Sequence, residues 1–406
     1  MARIGLPDAR SNRFSHRRVA RPAVILALGQ AGFEDLLALE LEGAGGPGIE
    51  RGPGWVLAAP LRGEHPTLNI QHPTPKSERV GRGGPDALGS DAKAGLILPD
   101  LAFAHLILCQ PVEVRGESVN ALARQIADFF MKSLRDERVE SAWPCVFAGP
   151  AEIVGLGRRI SGVEQAFRET LKKKLSRVAK LAVEGTPRGA GPAHGLFVFF
   201  SDFGRAFVAR EARRGGQRRM ADDEAAPSRS FLKVEEAYGL LGREPQPGET
   251  VCDLGAAPGG WSYSAARRGA RVVAVDNGPL KGGALGHPQI EHQCGDAFKF
   301  MPRDGEVFDW LFCDLLEEPH QVLNHIVEPW LARRWCRRFV VNLKFGHVDP
   351  MALLAELRAP GSPFVAQADS FRVRHLYHDR EELTVVGEAP FGERRTRNAE
   401  LPTTHS

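Results

Sequence analysis

The chain reads as an α/β protein: a Rossmann-like, doubly wound sheet at the C-terminus, preceded by an α+β region. Three observations predict this. Val251-Cys-Asp-Leu-Gly-Ala-Ala-Pro-Gly-Gly-Trp-Ser-Tyr263 has the pattern of a buried strand, a glycine-rich turn and a helix. From Ser228 to about residue 387, strand-like and helical runs alternate, as in a mostly parallel sheet. Before that, shorter strand and helix signals sit in a stretch rich in Lys and Arg.

In chain order, residues 1–21 carry six arginines, from Arg3 to Arg21, and are expected to form a disordered basic tail. Residues 22–99 are expected to form an N-terminal α+β subdomain of strand Ala23–Leu28, helix Phe33–Glu42 and strand Trp55–Ala59. Within it, residues 61–95 are rich in Pro, Gly and charge and read as a mobile insertion. A second α+β unit covers 100–220. It holds strand Leu106–Val114, helix Ser118–Leu134, a helix over 162–183, and a hairpin of Gly195–Phe200 with Arg205–Arg210. A polar linker, 221–227, leads into the C-terminal unit at 228–390. That unit is expected to end in an antiparallel hairpin, Arg374–His378 with Leu383–Gly387, before a charged tail at 391–406.

The glycine turn narrows the ligand. It is G-x-x-x-G-G, with Ala257 where a dinucleotide fingerprint needs glycine, and no Lys-Ser/Thr follows to grip phosphate. Close backbone approach without a pyrophosphate grip suits S-adenosylmethionine better than NAD or ATP. Arg271-Val-Val-Ala-Val-Asp276 is a second buried strand, ending in a carboxylate where such folds bind a ribose diol. Asp296 could accept from an adenine amino group, with Phe298 packing on the ring, or could simply cap the helix that follows. A fourth strand ends at Asp314.

These stretches, together with Cys313-Asp-Leu315, Asn342-Leu-Lys344 and Leu376-Tyr-His-Asp-Arg-Glu-Glu-Leu-Thr384, resemble the bacterial ribosomal RNA large subunit methyltransferase M family. The family consists of FtsJ-like ribose 2′-O-methyltransferases with an N-terminal THUMP-type RNA-binding region. The resemblance is dense over about 228–387 and thinner over 22–212. It implies a catalytic Lys-Asp-Lys-Glu tetrad of Lys233, Asp314, Lys344 and Glu382, with Glu381 the adjacent alternative to the last. It also implies S-adenosylmethionine held by Ser230, Gly255, Ala257, Pro258, Gly259, Gly260, Asp276, Asp296 and Asp314, and no metal. The implied substrate is a cytidine of large-subunit ribosomal RNA. Other RNA ribose sites, or a non-enzymatic RNA-binding assembly factor, are the alternatives.

A ribose hydroxyl is a weak nucleophile, so a base or cation must stand beside it. Lys344 is expected to serve with its pKa lowered by burial and by Lys233. Lys233 taken alone also fits the solvated face of a helix.

Net charge is only +3, but residues 151–220 hold 15 Lys+Arg against 6 Asp+Glu, or +9, leaving −6 elsewhere. Such a concentration is the expected footprint of a polyanion partner, which the resemblance implies to be RNA. Lys172, Lys173 and Arg177 on the helix, and Arg213 and Arg214 in an expected flexible loop at 213–219, are the candidate contacts. Six cysteines without a C-x-x-C pair argue against zinc and disulfides, and fit a reducing cytoplasm. Cys252, Cys294 and Cys313 are expected as buried small hydrophobes. No apolar run is long enough to cross a membrane.

Overall fold

The computed structural model describes residues 24–61 and 100–390, apart from Asp136. The basic tail 1–21, residues 62–95 of the insertion and the tail 391–406 lie outside the described residues.

The N-terminal unit runs β1 (Ile25–Leu28), α1 (Glu34–Gly43), β2 (Gly48–Gly52), β3 (Trp55–Ala58), β4 (Leu106–Cys109), β5 (Val112–Arg115), α2 (Val119–Ser133), β6 (Trp143–Ala148), α3 (Leu156–Lys174), α4 (Ser176–Ala179), β7 (Ala182–Glu184), β8 (Gly191–Phe200) and β9 (Arg205–Arg214). Its strands form one sheet in the order β2-β3-β1-β4-β9-β8-β6-β7, with β5 on β9. The sheet is continuous across residue 100, because β1 pairs with β4.

The C-terminal unit runs α5 (Phe231–Leu241), β10 (Thr250–Leu254), α6 (Gly260–Ala266), β11 (Arg271–Val275), β12 (Ile290–Gln293), β13 (Phe308–Cys313), α7 (Pro319–Val322), α8 (Glu328–Ala332), β14 (Cys336–Lys344), α9 (Pro350–Arg358), α10 (Pro363–Gln367), β15 (Ser370–Arg374) and β16 (Glu382–Glu388). The order is β12-β11-β10-β13-β14-β16-β15. The strands are parallel from β12 to β14, and β16 and β15 close the edge antiparallel. This is the doubly wound sheet expected. Its central strands are apolar on both faces, because helices cover both. Val234, Ala237 and Tyr238 of α5 pack with Trp310, Phe312 and Val340 on one side, while Leu311, Val341 and Trp330 lie in the core on the other.

Several local expectations change. Leu106–Val114 is two strands, because Gln110, before Pro111, takes φ 49° and breaks the ladder. The helix expected at 162–183 begins earlier, at Leu156, and stops at Lys174. Leu175 leaves helical geometry (φ −140°, ψ 60°), and the next turn is held by the Trp143 indole N–H donating to the Val178 carbonyl at 3.0 Å. Arg213 and Arg214 are not in a flexible loop. They end β9, where Arg214 donates to the carbonyls of Pro187 (3.0 Å) and Pro192 (3.1 Å). The last hairpin is shifted: β15 ends at Arg374, and residues 375–381 leave the ladder to meet the N-terminal unit. Cys252 and Cys313 are buried as expected, but Cys294 is exposed, just past the end of β12.

Polar contacts tie the two units together. Glu40, buried in α1, accepts from Ala102 N (2.7 Å), Phe103 N (3.0 Å) and the Arg358 guanidinium (3.1 Å). Buried Arg374 pairs with Asp100 and donates to the Gly215 carbonyl at 3.1 Å.

Candidate active site

The glycine turn leaves β10 at Leu254 and enters α6 at Gly260. Gly255 (φ 79°) and Gly259 (φ 106°) need the left-handed conformation that glycine tolerates. A Cβ on Gly255 would also stand 2.8 Å from Leu315 and 3.3 Å from the Asp314 carbonyl carbon, so the turn lies directly against the end of β13. A Cβ on Gly260 would come within 3.1 Å of both the Ser228 and the Ser230 hydroxyl, which places Ser230 at the same turn. The Ala257–Pro258 peptide is cis. Asp276, at the end of β11, accepts from Ala257 N (3.0 Å) and Gly278 N (2.6 Å). It therefore braces the turn, while its two oxygens keep lone pairs for a further donor. Asp296, past β12, accepts from Phe298 N at 3.0 Å and pairs with Lys299 at 3.3 Å. It caps a short 3₁₀ turn, and the Phe298 ring meets His325 edge-on at 6.2 Å.

Beside Asp314 stands a compact cluster. The Lys344 ammonium donates to Asp314 at 2.6 Å and to Glu382 at 2.7 Å. Lys233 pairs with Glu382 and lies 3.9 Å from Asp314. Four elements deliver these groups: α5 brings Lys233, the end of β13 brings Asp314, and the β14–β16 register sets Lys344 opposite Glu382. All four side chains are less than one-fifth exposed, so Lys233 is not a solvated-face lysine. Glu382, not the exposed Glu381, faces the lysines.

The electrostatics depart from expectation. Burial by itself would lower the Lys344 pKa, but Asp314 and Glu382 more than offset it, and the net shift is upward. Lys344 is therefore an ammonium in the resting site, not a lysine tuned toward neutrality. Burial would raise the Glu382 pKa, yet Lys233 and Lys344 hold it below the ordinary value. Two cations and two carboxylates balance, and this is what makes their burial tolerable.

Several further polar residues pack around the site without a motif that marks them in the sequence. Asp253, buried in β10, accepts from the Ser262 hydroxyl at 2.6 Å, and burial pushes its carboxyl up to about 7. Asn342, two residues before Lys344, is fully buried. Glu236, on α5, accepts from Arg218 N (2.9 Å) and Tyr377 N (3.1 Å). The available signal was a polar residue inside an otherwise apolar run.

The candidate cofactor residues surround one rim at the carboxyl ends of β10, β11 and β13, with Asp296 just past β12. Acidic groups line it, and the turn carries no Lys or Arg to hold a pyrophosphate. This set fits a ligand that combines a ribose diol with a positive sulfonium. Among the described residues, no group of His, Cys, Asp and Glu is arranged to hold a metal. Lys172, Lys173 and Arg177 are exposed, the first two at the last turn of α3 and the third on α4.

Residues 226–371 match the FtsJ-like methyltransferase family model. The chain is 37% identical to the ribosomal RNA large subunit methyltransferase M of Laribacter hongkongensis over 262 residues, 59% of this chain and 70% of that protein. It is 40% identical to the protein of the same name from Halorhodospira halophila over 200 residues, 48% of this chain and 57% of that one. With that of Thauera aminoaromatica the identity is 32% over 337 residues, 72% of this chain and 88% of that protein. The last match is longer than the C-terminal unit and must run into the N-terminal one. Because the likeness extends through both units, the chain belongs to the ribosomal RNA large subunit methyltransferase M family.

Proposed function

We propose that this chain is an S-adenosylmethionine-dependent enzyme that methylates a ribose 2′-hydroxyl of large-subunit ribosomal RNA, at a cytidine. One observation carries the reading: the Lys344 ammonium bridging Asp314 and Glu382 at 2.6 and 2.7 Å, against the glycine turn. S-adenosylmethionine supplies a methyl group on a positive sulfur, which is already a good leaving group, so the protein must mainly align the hydroxyl and handle its proton. Lys344 has three N–H donors and uses two on carboxylates, leaving one direction for the ribose oxygen. As the C–O bond forms, Lys344 yields a proton to Asp314 and turns the lone pair so freed to the ribose hydroxyl, whose proton it then takes. The lysine thus acts as a relay, and the carboxylate as the final acceptor. Lys233 stays paired with Glu382 and holds it in place.

The N-terminal unit supports this reading as an RNA-holding, THUMP-type region, since residues 151–220 carry +9. Ribosomal RNA as substrate also fits a cytoplasmic site of action. Among the described residues, no helix is long and apolar enough to cross a membrane.

Ribose-methylation mapping of 23S RNA from a strain lacking this gene tests the proposal. One cytidine should lose its 2′-O-methyl group, and purified protein with S-adenosylmethionine should restore it. An unchanged map, with no transfer to that RNA by the protein, would refute it.

A further inference from the structure

We propose that His375 is a positioning residue through which the N-terminal unit sets the geometry of the lysine–carboxylate cluster. The inference rests on the methyl-transfer reading above. Residues 375–381 connect β15 to Glu382, the first residue of β16. On one side the connection is held by the N-terminal unit. His375 N donates to the Ala102 carbonyl at 3.0 Å. The His375 carbonyl accepts from His105 Nε2 (3.1 Å) and from the Gln217 amide (3.4 Å). The His375 ring packs on Phe33 and Phe103, with centroids 4.2 and 5.3 Å away.

On the other side the connection holds the catalytic carboxylate. His375 Nε2 lies 2.8 Å from the Arg380 carbonyl and therefore carries the proton. The Arg380 N–H in turn donates to Glu382 Oε1 at 3.2 Å. Phe345, the residue after Lys344, donates its N–H to the Glu381 carbonyl at 2.8 Å and packs its ring toward His375, centroids 6.4 Å apart. His375 is fully buried, which shields its end of these bonds from solvent, while Arg380 at the other end is exposed. One imidazole thus spans the rings of the N-terminal unit and the peptide that aims Glu382. Glu382 contacts both lysines, so a shift of the Arg380 peptide alters both ion pairs. Catalytic groups tolerate little misplacement before the rate suffers.

The test uses the full chain with unmethylated ribosomal RNA and tritiated S-adenosylmethionine. His375→Phe keeps a buried ring but removes the N–H donor. It should lower kcat roughly tenfold, the scale of one lost buried hydrogen bond. Cofactor Kd and the KM for RNA should stay unchanged. His375→Gln, whose amide can still donate to the Arg380 carbonyl, should recover part of the rate. Phe33→Ala, on the N-terminal unit and outside the cluster, should also lower kcat, and the Phe33→Ala/His375→Phe pair should lose less than the product of the two effects. If His375→Phe does not fold, Phe33→Ala and His375→Gln still decide the matter. Wild-type kcat in folded His375→Phe or Phe33→Ala would overturn the proposal, as would equal losses in the Phe and Gln variants or a change confined to KM. Inactivity of the wild-type protein would instead sink the methyl-transfer reading.

Discussion

Replacing Lys344 separates the relay from its two rivals, a neutral lysine base and a fixed cation. Lys344→Met keeps the length of the side chain but removes the ammonium that Asp314 and Glu382 share. Glu382 retains Lys233, whereas Asp314 keeps only that lysine, 3.9 Å away. A buried carboxylate stripped of its partner typically costs 3–5 kcal/mol. With Lys233 remaining and the Lys344 side chain 19% exposed, a loss near the low end, about 3 kcal/mol, is expected. Methyl transfer should fall at least ~10²-fold, the scale for a removed base or charge-stabilising donor. Cofactor affinity should hold, since Lys344 is directed at the carboxylates and not at the turn. Lys344→Arg should be nearly as inactive, because guanidinium stays charged and cannot relay a proton. The pH profile then distinguishes the lysine's state. With the Lys344 pKa raised above 10.5 and that of Glu382 held below 4.5, neither group changes charge between pH 6 and 9. The wild-type kcat should therefore be flat across that range. The assay is single-turnover methyl incorporation into 23S RNA from the deletion strain, with calorimetry for the cofactor. A rate rising about tenfold per pH unit would mean that a neutral Lys344 is required, and the relay would be wrong. Substantial activity in Lys344→Arg would leave only the fixed cation.

Three further outcomes are expected. Asp276→Ala removes the acceptor of Ala257 N and Gly278 N as well as the proposed ribose contact, and should weaken S-adenosylmethionine binding about tenfold or more by calorimetry. Unchanged affinity in the folded variant would take Asp276 out of the site. Neutralising Lys172, Lys173 and Arg177 should weaken RNA binding and reduce the slope of log K against log[salt] by roughly 0.7 for each lost single-strand contact. An unaltered slope in filter binding would move the RNA path elsewhere. Glu236→Gln probes a buried carboxyl that burial pushes from 4.5 up to about 8. Folded protein binds this proton more tightly than unfolded chain, so the group's contribution is present below about pH 4.5 and is lost as pH rises through 8. The Gln variant should thus gain Tm relative to wild type between pH 7 and 9, and a constant difference across that range would refute the assignment.

Local sequence was enough for the C-terminal sheet. The apolar runs ending at Leu254, Val275 and Cys313, each followed by a glycine turn or an acid, encode strand, turn and helix over a few residues. Gly255 and Gly259 occupy positions where a side chain is barred by φ alone. The ordinal placement of Asp276, Asp296 and Asp314 at strand ends follows from the same short-range pattern. Where local pattern does not fix the structure, distant contacts decide it. Nothing in the residues around Leu175 breaks a helix, yet the chain turns there and Trp143, more than thirty residues away, holds the next turn. Arg213 and Arg214 have the composition of a loop but are zipped into β9.

The cluster itself lies between these two cases. Its residue types could be named from motifs, but the charge state of Lys344 could not. A lysine beside a lysine suggests a lowered pKa. The β14–β16 register instead sets Lys344 opposite Glu382, and Asp314 reaches it from the next strand, so the attraction of the two carboxylates outweighs burial. Likewise His375 looks like one more residue of a strand until the docked N-terminal unit draws it out of the ladder. Sequence determines which residues a strand or turn can present, because backbone preference is local. Only the tertiary structure decides what those residues face, and a pKa or a hydrogen bond depends on what lies within a few ångströms, wherever in the chain it comes from.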